Sequence, residues 1–105
     1  MIYLIREAIK TALLKEINNL LDPHKVRLSY ELYNRIEFVR PSAQYLGQQD
    51  FHVITLNRSY IKIESYAWYR PGVAITVDYA DPKLFEKIII EFQTFCNRKY
   101  YHDDD

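Results

Sequence analysis

The apolar residues of this chain change their spacing twice, and those two changes set the order of its elements. Ile2, Ile5, Ile9, Ala12, Leu13, Ile17 and Leu20 recur at steps of three and four, the repeat of one helix face. Arg6, Lys10, Lys15, Asn18 and Asn19 fill much of the other side, while Leu4, Leu14 and Leu21 widen the apolar stripe. So broad a stripe suits a helix lying on a sheet, or one that also meets a partner. Pro23 after Asp22 ends the segment, because the residue before a proline avoids helical geometry.

From Val26 the step becomes two. Val26, Leu28, Tyr30, Leu32, Ile36 and Phe38 share one parity; Arg27, Ser29, Glu31, Tyr33, Arg35 and Glu37 share the other. A strand sends successive side chains to opposite faces, so the even set, Tyr30 included, is expected to point inward. The parity runs unbroken across Asn34. One long strand preserves it. So does a hairpin with a loop over Tyr33 to Arg35 that pairs Leu32 with Ile36. A two-residue loop pairing Tyr33 with Ile36 would mix the faces. Pro41 to Asp50 reads as a loop.

Phe51 to Trp68 reads as a second hairpin. A turn at Asn57-Arg58 pairs Leu56 with Ser59, Ile54 with Ile61 and His52 with Ile63. The outer face then sets Thr55 beside Tyr60, Val53 beside Lys62 and Phe51 beside Glu64. Pro71-Gly72 reads as a turn, and Gly72 to Tyr79 as a further strand. At Asp81-Pro82 the helical spacing returns, with an aspartate cap and a proline in the first turn. Leu84, Phe85, Ile88, Ile89, Phe92, Phe95 and Cys96 form the apolar side of this last helix.

The expected architecture is an α+β two-layer domain. A helix precedes three to four antiparallel strands, a second helix follows, and both helices cover one sheet face. Residues 1–99 are expected to form the single domain, with residues 100–105 as an acidic C-terminal tail. A chain of 105 residues, 49% hydrophobic and 27% charged, suits one globular unit.

Charge and cysteine use narrow the function classes. Fourteen basic side chains balance fourteen acidic ones. Dedicated nucleic-acid binders carry a basic excess, since phosphate contacts dominate their affinity. Neutrality also removes self-repulsion. The one cysteine, Cys96, makes no intramolecular disulfide and builds no thiolate zinc site. Met1 to Ile5 reaches the charged pair Arg6-Glu7 at once, without the apolar core of a secretory signal. A cytoplasmic location is expected, with no membrane segment, cofactor or bound metal.

The candidate site follows from ten tyrosines, densest between Tyr60 and Tyr69. Tyr60, Lys62, Glu64, Tyr66 and Trp68 stand on the parity opposite to Ile61 and Ile63, with Tyr69 and Arg70 just beyond and Phe51 and Val53 on the facing strand. Tyrosine and tryptophan supply large contact area at little entropic cost and are enriched at interfaces. A protein-binding face is therefore expected, used by a partner protein or by a second copy in a homodimer. Arg27, Glu31 and Tyr33 could extend it. Tyrosine is also a good strand former that is often half-exposed, which would explain the row without any partner.

Two further readings compete. Single-stranded nucleic acid could stack on the same aromatics, with Arg27, Arg58, Lys62 and Arg70 on its backbone, but no RNP-type motif is present. Asp50, Glu64 and Asp78 with Lys62 could form a metal-dependent nuclease site, but cross-strand ion pairs account for the same residues. His24, His52 and His102 have no metal-pair spacing. His102 beside Asp103, Asp104 and Asp105 reads as a solvated end, and Cys96 as a buried, inert thiol. Gly47 and Gly72 are the only glycines, too few for a phosphate-cradling loop.

Overall fold

The computed structural model describes residues 2–21, 24–42, 46–67 and 70–97, with the side chains of residues 70 and 71 set aside. The elements run α1 (Ile2–Leu20), β1 (Arg27–Leu32), β2 (Arg35–Pro41), β3 (Gln49–Leu56), β4 (Tyr60–Ala67), β5 (Arg70–Asp78) and α2 (Leu84–Asn97). The strands form one five-stranded sheet in the order β1-β2-β3-β4-β5. Every neighbouring pair is antiparallel. The α+β order is as expected, and the strand count is five rather than three to four. The chain folds back at Tyr33-Asn34, so residues 26–40 are a hairpin and not one strand.

Both helices lie on one face. Ile9 and Leu13 of α1 and Ile88, Phe92 and Phe95 of α2 share a core with Ile36, Phe38, Ile54, Leu56, Ile61, Ile63 and Val77. Those sheet residues all come from one parity of their strands, which is why alternation and helical spacing meet in one core. Phe38 and Phe92 meet edge-on at 4.8 Å between ring centroids. Gln93 donates to Glu16 at 2.6 Å, joining the helices across their tops. Asp81 caps the approach to α2 by accepting from the Lys83 amide at 2.8 Å. The Lys87 ammonium, then the Lys83 amide, hold its carboxyl below the usual range.

The first hairpin departs from the expected register. Leu32 pairs with Arg35 and Glu31 with Ile36 across a two-residue turn at Tyr33-Asn34, neither the Leu32–Ile36 pairing expected nor the Tyr33–Ile36 pairing rejected. A bulge between Leu28 and Tyr30 makes it possible. One extra residue reverses the parity of everything after it. Leu28 still faces the core beside Phe38, but Tyr30 and Leu32 swing outward, 41% and 55% exposed. Glu31 turns under the helices instead of joining the outer face, and Tyr33 occupies the turn. The Glu31 carboxylate is gripped by Arg6 and Lys10 of α1. Lys10 first, and Arg6 with it, hold the Glu31 carboxyl low against the effect of burial. Arg6, which the helical spacing placed on the solvent side, is buried as a result.

Two turns also move. Asn57 donates its amide to the Tyr60 carbonyl at 2.9 Å, so the tight turn is Arg58-Ser59. Leu56 then pairs with Ile61, Thr55 with Lys62, Val53 with Glu64 and Phe51 with Tyr66. That is a shift of two residues from the expected pairing, so every side chain keeps its face. Pro71-Gly72 is not a turn but lies within β5. Gly72 sits where β4 is irregular between Ser65 and Ala67. A Cβ at Gly72 would stand 1.6 Å from the Ser65 carbonyl oxygen, so only glycine allows the two backbones to meet.

Candidate functional site

The sheet face away from the helices is built in rows. Arg27, Val39, Phe51 and Tyr66 stand side by side across β1 to β4. The next row is Tyr30, Glu37, Val53, Glu64 and Ala74. After it come Leu32, Arg35, Thr55, Lys62 and Thr76, and Tyr60 pairs with Asp78 at the far end. An aromatic row, an acidic row and a basic row therefore run parallel. Each acid also meets a base along its own strand: Arg35 lies 3.7 Å from Glu37, and Lys62 lies 3.7 Å from Glu64.

Phe51 and Tyr66 stack at 5.3 Å between centroids and 24° between planes. Burial raises the Tyr66 phenol above its usual pKa, and Glu37 adds to the effect. The Arg35 guanidinium sits 6.0 Å over the Tyr30 ring. These side chains close over the middle of the face. Val53 is 1% and Val39 2% exposed although no described helix covers them. What a partner could touch is the surrounding ring: Tyr60, Lys62, Glu64, Tyr66 and Phe51, with Tyr30, Leu32 and Arg35.

Of the residues expected here, Tyr60, Lys62, Glu64, Tyr66, Phe51 and Val53 are brought together on this face. Trp68 and Tyr69 lie outside the described residues, as does the side chain of Arg70. Arg35, Glu37 and Val39 were missed, although the parity of Ile36 and Phe38 implies them. Tyr30 and Leu32 could not be found, because nothing in the alternation marks the bulge at Ser29.

The opposite face holds a second polar group, fully buried. Arg40 reaches from β2 and donates to the Phe95 and Cys96 carbonyls at 2.9 Å each. These are carbonyls of the last turn of α2, which lack helical partners. Its guanidinium lies 3.5 Å from the Asp50 carboxylate. His52 lies in the same core. Its Nδ1 is 2.7 Å from Ser65 Oγ, and its ring stacks on Phe95 at 5.1 Å. Burial lowers its pKa to about 3. A histidine so depressed is a poor general base at neutral pH, and its ring is packed between Phe92 and Phe95. The nuclease grouping also divides. Asp50 points under α2, while Lys62, Glu64 and Asp78 stand on the free face. No group of three or more histidine, cysteine or acidic side chains positioned to hold a metal occurs among the described residues.

No helix among the described residues is long and apolar enough to cross a membrane. No protein-family model, curated protein or solved structure matches the chain.

Proposed function

We propose that this chain is a small non-catalytic binding domain whose helix-free sheet face docks a protein. The observation that supports this most is the layout of that face: exposed aromatic and aliphatic side chains bordering parallel acidic and basic rows. Tyr60 at 41% exposure and Leu32 at 55% offer apolar contact. Lys62, Glu64 and Arg35 give register and orientation, the usual use of charge at an interface. A second copy or a different protein would meet the same requirements. A reducing compartment such as the cytoplasm suits the single buried thiol, Cys96.

Protein is favoured over single-stranded nucleic acid by the acids. Glu37 and Glu64 fill the row next to Arg35 and Lys62, and Asp78 stands opposite Tyr60, which opposes a phosphate backbone. Comparative capture tests the reading. Wild type and a Tyr60→Ala, Lys62→Glu variant are used as bait under identical conditions. Proteins retained by wild type and lost from a variant with unchanged thermal stability are the expected result. An identical set on both baits would refute the docking face.

A further inference from the structure

The two edges of the sheet are finished differently. β1 is short, bulged after Leu28 and carries Arg27 and Glu31. Those are the devices that stop a free edge from pairing with another chain. β5 keeps such features to its ends: Arg70 and Pro71 with the Ser65–Ala67 irregularity at one, Asp78 at the other. It is nine residues long and has no charged residue between Arg70 and Asp78. β4 bonds one side of its backbone, and no described strand lies on the other. Gly72, Val73, Ala74 and Thr76 are exposed, Val73 to 55%. Beside the strand runs a hollow of about 300 Å³ lined by Ile75, Thr76, Val77, Lys87, Ile90 and Glu91. Ile90 projects from α2 at 51% exposure. Among the described residues, a long edge that is apolar between its charged ends, next to an exposed isoleucine, is an open pairing surface.

We propose that β5 is a pairing edge that takes β5 of a second copy of this chain, antiparallel about Ile75. The open row of amides and carbonyls calls for an extended strand, and this strand is its own complement. Pairing about Ile75 sets Val73 opposite Val77 on the helix side and Ala74 opposite Thr76 on the other. No like charges meet within the paired stretch, and the chain's formal charge is zero. The dyad also brings the two α2 helices side by side and antiparallel. Lys87, three residues before Ile90, and Glu91, one after it, border the same hollow, so charges of both signs lie beside the contact. The product is a ten-stranded sheet whose helix-free faces remain available to a different protein. The edge contact does not depend on the docking role of that face.

Strand-edge pairing buries less than the ~1,200 Å² of a small stable interface, so a weak, concentration-dependent dimer is expected. Light scattering across about 5 to 500 µM covers that range. The expected mass rises from 12.7 kDa toward twice that value. Val73→Lys and Ile90→Lys, which place a charge in the new contact, should each move the midpoint up by at least about tenfold. Tyr60→Lys adds the same charge on the docking face and should leave the midpoint unchanged. Amides of residues 73–77 should exchange more slowly as concentration rises. A wild type monomeric throughout would overturn the proposal. So would edge variants that keep the wild-type midpoint, or a midpoint moved by Tyr60→Lys alone. Should Val73→Lys fail to fold, Ile90→Lys, at an exposed helix position, decides the matter.

Discussion

The two faces of this sheet use the same kinds of residue for opposite ends. Under the helices, Arg40, Asp50 and His52 are buried; Arg40 joins α2 to the sheet, while its contact with Asp50 and the His52–Ser65 contact tie the strands beneath. On the free face, Arg35, Lys62 and Glu64 stay partly exposed and only Glu37 is buried; the pairs stand at 3.7 Å within each strand. A charge taken out of water must be compensated or it unfolds the protein, whereas a half-exposed pair contributes little to stability. Polar residues under the helices therefore hold the fold together. Those outside, Glu37 apart, keep contact with solvent. The comparison fails if substitutions on the two faces cost the same.

The largest effect should come from the buried ion pair. Asp50→Ala leaves the Arg40 guanidinium in the core without its carboxylate and should cost about 3–5 kcal/mol in urea unfolding. A cost below about 1 kcal/mol would mean that the pair is open to water.

His52 makes the same face acid-sensitive. Its folded pKa is about 3, against roughly 6.5 in the unfolded chain. Above that upper value both states hold a neutral ring. Below it the unfolded chain takes up a proton that the folded chain refuses, so stability falls as pH drops toward 3. The expected slope from this group is about 1.4 kcal/mol per pH unit. Denaturation measured between these limits should lose one proton's worth of slope in His52→Leu. An unchanged slope would place the imidazole in contact with water.

Gly72→Ala tests the irregular junction of β4 and β5. Its methyl would meet the Ser65 carbonyl, and the forced backbone shift should cost about 1–3 kcal/mol in thermal unfolding. The smallest effect is expected on the free face, where Lys62→Ala breaks only a half-exposed pair and should cost about 0.2–1 kcal/mol. A larger loss there would make the free face structural and erase the contrast.

How much of this was legible depended on whether a feature is periodic. The helices, the inward parity of β2 to β4 and the placement of Tyr60, Lys62, Glu64 and Tyr66 follow from repeats of 3.6 and 2. They survived a register error at Asn57-Arg58 because the error was even. The bulge at Ser29 is a single irregular residue, and no repeat announces it; it moved Tyr30, Leu32 and Glu31 to faces their parity denied. Glu31 could have been paired with Arg6 and Lys10 only by knowing which strand lies under α1. The close approach at Gly72 looks like a turn in sequence, because glycine after proline suits both situations. Nor does alternation show that Val53 is roofed by its neighbours, since that depends on two cross-strand partners at once.

Photo-crosslinking tests the central claim most directly. A benzophenone side chain is placed at position 62 on the free face and, separately, at position 4, where Leu4 is exposed on α1. Both proteins must match wild type in thermal unfolding. The account predicts a discrete crosslinked protein product from position 62 and none from position 4. Equal products from both positions, or a product from position 4 alone, would contradict it.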